Sequence, residues 1–445
     1  MTQNEQATTL QYAPTQRPRL RPAAVLGVHL LITLIYASLY SNILWLMPML
    51  VRLNFGADDP AWRNWQTTLV TGIVPTLLMG SIFWAELLRR VRLEVYLTVY
   101  WLLSAVPLLL IAFAHNYWQF FACHAVTAAG LAGWPPLFGK MIKHLYADSV
   151  RGRVFAILTM ASLGGGGAAV YFVGSWIEEN PNAFRLFWPT VASAQIVSLA
   201  LLVWLARATK MADERAAGVG TVRQRIFRPL LHMGGVLRAD RVFLRYELAF
   251  MTYGAAFMFC DALLPVLATD RLALRYEDYA HSTQMAALAS RLVVVLPIGW
   301  LMDRIGAVRV SGLSFGLLLL YPLALLFASG TDGLAGASIV WGVGLGGVMM
   351  GWTLGPVALA PSPALVPQYS AIHASLVGIR GVLFQSLGML LYQVSGSFAL
   401  PLGLAAAAFL WAAVQMWQLH GVMRRERDSQ LARDDAPPHA PEAEA

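Results

Sequence analysis

The sequence predicts an all-α membrane protein with twelve transmembrane helices in two six-helix pseudo-repeats. Three observations carry that expectation: an apolar excess, a series of apolar runs of bilayer-spanning length, and an echo of the first half in the second. Of 445 residues, 58% are hydrophobic and only 13% are charged. Soluble domains carry about 25% charged and about 45–50% apolar residues. A mean hydropathy of +0.57 cannot be hidden in one soluble core, so soluble multidomain, disordered and fibrous classes drop out.

The elements follow in order. Residues 1–23 form a polar cytoplasmic tail ending in Arg17, Arg19 and Arg21. This stretch is too long for a secretory signal, and the apolar run behind it passes any plausible cleavage site. Runs near 24–51, 65–86, 95–114, 118–139, 154–176 and 187–206 build an N-terminal six-helix bundle over 24–206. Each is long enough to cross about 30 Å of hydrocarbon. Residues 207–245 form a cytoplasmic middle loop. Its Arg223, Arg225, Arg228, Arg238 and Arg241 stand among apolar residues. That pattern fits an amphipathic segment on the anionic inner leaflet or a solvated linker. Runs near 246–268, 280–302, 308–329, 334–358, 374–395 and 398–418 build the C-terminal bundle over 246–418. The charged, Pro-containing residues 419–445 read as a disordered cytoplasmic tail.

Charge fixes the orientation. With the N-terminus inside, 25 of the 32 Lys and Arg fall in cytoplasmic segments and five in external loops. This is the positive-inside pattern with both termini cytoplasmic. The net charge of +8 is therefore a topology signal, and no nucleic-acid partner is expected. Arg outnumbers Lys 29 to 3, the composition of a GC-rich bacterial genome, which places the chain in a cell inner membrane. A monomer embedded in lipid is expected.

An internal repeat supports the six-plus-six division. Gly299-Trp-Leu-Met-Asp303-Arg304-Ile-Gly306-Ala-Val-Arg309 lies between spans eight and nine. At an offset of 217 positions, between spans two and three, Glu86 replaces Asp303, Arg89 replaces Gly306 and Arg92 replaces Arg309. An offset of 218 relates Gly133-Trp134 in span four to Gly351-Trp352 in span ten. Such repeats recur in secondary transporters.

The Gly299–Arg309 stretch resembles the signature loop of the major facilitator superfamily, Gly-x-Leu-x-Asp-Arg-x-Gly-x-x-Arg. Asp148-Ser-Val-Arg151-Gly152-Arg153 resembles that family's break between spans four and five. The resemblance implies a transporter that moves a small solute by alternating access. It implies a gating role for Asp303, Arg304, Gly306 and Arg309, with Glu86 and Arg92 as the degraded first-half copy. A tight basic turn obeying the positive-inside rule is the plainer reading of both copies. The resemblance also places spans one, four, seven and ten around the central cavity.

Charges at membrane depth cost roughly 2.5–3.5 kcal/mol each on insertion scales, so each needs a partner or a purpose. Asp261 lies nine residues before Asp270, about 13 Å deep at 1.5 Å per residue, and Arg291 of span eight lies about 16 Å deep from the same side. The two are expected to pair, and a proton on Asp261 would release Arg291. Protons are thus the expected coupling ion, and a static packing pair is the alternative. Arg380 in span eleven is a candidate for an anionic substrate group or for snorkelling to the interface. Glu247 has Arg245 and Arg241 as candidate partners. His124 in span four is a titratable or a packing residue.

Tyr36 and Tyr40 share one helical face of span one, with Asn42 farther round. Tyr253 and Phe257 share a face with Asp261 in span seven. With Trp134 and Trp352 these residues are the candidate cavity wall, or simply core. An aromatic cavity with one acid suits amphipathic, cationic compounds. Glycines 164–167 in span five resemble an antiporter motif without its proline, which tilts the expectation toward export.

No enzyme is expected. His144-Leu-Tyr-Ala-Asp148 has no second catalytic element, no phosphate-binding Gly-rich loop occurs, and Cys123 and Cys260 offer neither a disulfide framework nor metal-ligand spacing. No cofactor or metal is called for. The runner-up reading is a transporter-fold receptor or assembly factor without transport activity.

Overall fold

The computed structural model describes residues 21–146, 148–211, 233–361 and 365–434. Within them every regular element is a helix. Eleven helical stretches are long and apolar enough to cross a membrane. In the first half these are spans one (Pro22–Phe55), two (Pro60–Leu88), three (Leu93–Ile111), five (Arg153–Glu179) and six (Phe184–Ala208). In the second half they are spans seven (Arg241–Arg271), eight (Tyr276–Ile305), nine (Ala307–Phe327), ten (Gly330–Leu359), eleven (Ile372–Ser395) and twelve (Ala399–Glu426). The fourth crossing is made by two helices, Tyr117–Leu131 and Trp134–Leu145. Twelve crossings return the chain to the face it started from, so both ends share that face.

Span four breaks because Pro135 and Pro136 carry no N–H for the carbonyls one turn back. In hydrocarbon a freed carbonyl needs a partner from its own protein. Neighbouring side chains supply them: Ser81 Oγ donates to Ala132 O at 2.7 Å and Trp84 Nε1 to Ala129 O at 2.8 Å. Tyr96 Oη donates to Gly133 O at 2.7 Å. The repeat partner of Gly133 is treated alike, since Tyr246 Oη donates to Gly351 O at 2.7 Å. The two donors come from spans that are not repeat-related, so the acceptor is what the repeat preserves.

Two hydrophobic cores divide the molecule. One contains Val25, Ile32, Trp84, Leu97, Leu158 and Leu205 and lies wholly in the first half, near the terminal face. The other runs from Leu39 to Leu419 and draws on both halves. Among the described residues, the hydrogen bonds and ion pairs joining the halves lie at mid-depth or at the opposite face. There Arg52 pairs with Asp270, Tyr276 Oη donates to Asn54, and Glu178 pairs with Arg275 at 2.8 Å.

Some expectations need revision. Span twelve continues as a helix to Asp434, so the first part of the 419–445 tail is ordered. Its Arg-rich sequence is helix-forming, and Arg424 pairs with Asp428 one turn on at 3.8 Å. Residues 435–445 lie outside the described set, as do Arg223, Arg225 and Arg228 of the middle loop.

Gly130 sits where spans three and four cross most closely. A Cβ there would meet backbone atoms, Ser104 N at 2.4 Å and Leu103 C at 2.5 Å. No side-chain rotation relieves that contact. Gly130→Ala is therefore expected to cost about 1–3 kcal/mol, the range for overpacking. An unchanged melting temperature of the purified variant would contradict this packing.

Candidate functional site

The candidate cavity wall assembles from spans one, four and seven. Tyr36 and Tyr40 are half-buried and stacked, with ring centroids 5.8 Å apart. Tyr36 also stacks on Trp134 at 4.1 Å, with 14° between the planes. Trp134 opens the second helix of span four, so the break in that span sets where the indole points. On the facing half, Tyr253 and Phe257 stack at 6.4 Å. Tyr253 is buried against Phe315, while half-buried Phe257 lies on Trp341 at 4.8 Å.

Asp261 and Arg291 do not form the expected ion pair. Instead Gln385 Nε2 of span eleven donates to Asp261 Oδ2 at 2.8 Å. Gln385 Oε1 in turn accepts the Thr71 hydroxyl of span two at 2.7 Å. The intramembrane acid of the second half is thus tied to the first half through one amide. Arg291 makes no hydrogen bond or ion pair with a described residue, and its Nε is buried without a partner. Both charges lie within electrostatic reach of Tyr40.

Other candidates are committed elsewhere. Asn42 spends its polar atoms inside span one, donating to Ser38 O at 2.8 Å and accepting from Trp45 Nε1 at 2.9 Å. His124 is buried with Nε2 3.1 Å from Val70 O of span two. Arg380 is buried. Its Nη1 donates to Phe250 O at 2.7 Å, and its guanidinium lies 5.8 Å from the Tyr253 ring centre. Neither snorkelling nor an exposed substrate anchor describes it. Half-buried Trp352 packs 5.4 Å from the His373 ring.

His373 is the partner of Glu247, in place of Arg245 or Arg241. Its Nδ1 lies 2.9 Å from both carboxylate oxygens, with both side chains 3% exposed or less. Sequence inspection missed this pair because its members stand 126 positions apart. It also missed Gln385 and Thr71, which are neutral and sit in apolar runs. A polar residue inside each run is the one signal that singles them out.

The signature loop turns at Gly306, where φ is +82° and ψ is 164°, a conformation essentially reserved for glycine. Asp303 is exposed and makes no ion pair among the described residues. Arg304 lies over the Trp300 ring at 3.6 Å, and Arg309 Nε donates to His420 Nε2 at 2.9 Å. In the first-half copy Glu86 pairs with Arg90, one turn on, while Arg92 precedes span three and is exposed. The side chains of Asp148 and Arg151 lie outside the described set.

Two variants test this packing. A Cβ on Gly254 would fall 2.2 Å from Arg380 Cδ, so Gly254→Ala should displace Arg380 from the Phe250 carbonyl. The expected loss is about 1.5–3 kcal/mol, that of a hydrogen bond to a charged group. His373→Leu should strand Glu247 and cost about 3–5 kcal/mol, whereas Glu247→Gln keeps a neutral hydrogen bond and should cost less. Equal melting temperatures for these two variants would refute the pairing.

Comparison with known proteins places this geometry. Residues 29–391 match the profile of the Major Facilitator Superfamily. No curated protein matches the chain in sequence. A mutant of the nucleoside transporter NupG superposes with a TM-score of 0.68 at 12% identity, covering 89% of this chain and 99% of its own. A mutant of the peptide transporter POT, in complex with alafosfalin, gives 0.70 at 13% identity, covering 91% and 95%. The human organic anion transporter MFSD10 (TETRAN) gives 0.64 at 15% identity, covering 90% and 99%. At these identities the likeness is one of fold.

Proposed function

Because the chain belongs to the major facilitator superfamily, and so is a multi-pass secondary transporter, we propose that it moves a small solute by proton-coupled alternating access, in the export direction. The observation that supports coupling is the Thr71–Gln385–Asp261 chain. Ionised Asp261 accepts from the Gln385 amide, and the other end of that amide holds Thr71 in the opposite half. A proton on the carboxyl weakens Asp261 as an acceptor and frees the amide, so protonation changes a contact between the halves. Glycines 165 and 166 lie against Leu34 and Ser41 of span one, and the resemblance of their run to an antiporter motif supports export.

With both termini in the cytoplasm of a bacterial inner membrane, the polar contacts at the opposite face close the outer side. The state is then inward-facing. Its outer latch is Arg52, which bonds Asp270 and also donates to Asn64 Oδ1 at 2.6 Å and Thr269 Oγ1 at 2.9 Å. A second reading assigns the proton to the Glu247–His373 pair, the other buried acid of the second half.

Proteoliposomes energised by an imposed pH gradient decide between these. For a solute chosen from a panel of organic acids, amines and neutral amphipaths, Asp261→Asn should keep downhill counterflow and lose pH-driven accumulation. Undiminished accumulation by Asp261→Asn, with loss in Glu247→Gln, would move the proton site to the second pair.

A further inference from the structure

Arg291 and Arg380 stand at membrane depth and Arg52 at the face away from the termini, and two of the three have partners. Arg52 has an acid, an amide and a hydroxyl around it. Arg380 also leaves its Nε unpartnered, but it has a backbone carbonyl, an aromatic face and the nearby charge of Glu247. Arg291 has no counter-ion and no hydrogen-bond partner among the described residues. Leaving such a group unpaired in a low-dielectric site is costly, and guanidinium groups at depth normally carry a partner. Asp261, the expected partner, is already held by Gln385.

The surroundings of Arg291 have a definite chemistry. Its stem backs onto span ten, where a Cβ on Gly346 would lie 3.7 Å from Arg291 Cγ. Its electrostatic neighbours are Tyr40 and Tyr253. From Tyr40 a ladder of rings leads away through Tyr36 to Trp134, at 5.8 Å and 4.1 Å between centroids. Arg291 is half-buried rather than closed off.

We propose that Arg291 anchors the carboxylate of an organic acid whose flat apolar body lies along the Tyr40–Tyr36–Trp134 ladder. A guanidinium presents two parallel N–H donors that match a carboxylate. The ligand thus brings the counter-charge that the protein lacks. This assignment rests on the cavity being the transport site, and it reverses the cationic substrate expected from one acid among aromatic residues.

The test is thermal unfolding of the purified full-length protein in neutral detergent with naphthoate, naphthylmethylamine and naphthylmethanol, three probes of one shape. Naphthoate should raise the melting temperature and the other two should not. Arg291→Gln should weaken naphthoate binding about tenfold to a hundredfold, the worth of a charged hydrogen bond, with Arg291→Lys in between. Ligand-free Arg291→Gln should melt no lower than the parent, because it loses an uncompensated charge. Preference for the amine or the alcohol, no naphthoate shift, equal naphthoate binding by Arg291→Gln, or a lower ligand-free melting temperature in that variant would each overturn the proposal. Binding in detergent involves no gradient, so a failure of proton coupling leaves this result unaffected and is seen only in the proteoliposome experiment.

Discussion

Hydrocarbon offers no partner to a peptide N–H, a carbonyl or a charge, and that constraint organises the rest of the structure. Where span four breaks at its two prolines, Ser81, Trp84 and Tyr96 turn inward to take up the carbonyls. Where acids and bases enter the bilayer they are matched, Arg52 to Asp270, Glu247 to His373 and Arg380 to a helix carbonyl. Arg291 departs from this matching, with no hydrogen bond or ion pair among the described residues, while the half-open acid Asp261 is held by a single neutral amide.

The same requirement shapes the contact between the halves. Their polar links gather at the face away from the termini, and there both bundles share one hydrophobic core. Toward the terminal face the first half keeps a core of its own. The two bundles thus share one core while the first keeps another for itself. Thr71 and Gln385 sit between these regimes and join the halves by one hydrogen bond.

Much of this was legible in the sequence. Run lengths gave the spans, and the Gly133/Gly351 offset marked two carbonyls that each receive a tyrosine hydroxyl. What was hidden is azimuth. Counting residues places Asp261 and Arg291 at similar depth, yet depth does not say which way a side chain turns, and Asp261 turns to Gln385. Asn42 and His124 are polar and correctly within the membrane, but they serve their own half. Glu247 was visible while His373 was not its evident partner, because helix packing and not sequence distance brings them together.

The two cores also bear on how the protein is made. Every buried member of the smaller core lies between Val25 and Met211, so it can close as soon as the first six spans leave the ribosome and enter the bilayer. The larger core needs residues as late as Leu419 and has to wait for the end of synthesis. Domains generally fold as units in the order they emerge. A half-synthesised chain thus already holds every member of one core and presents the other as an unfinished surface, which the second half must find before the membrane's other occupants do.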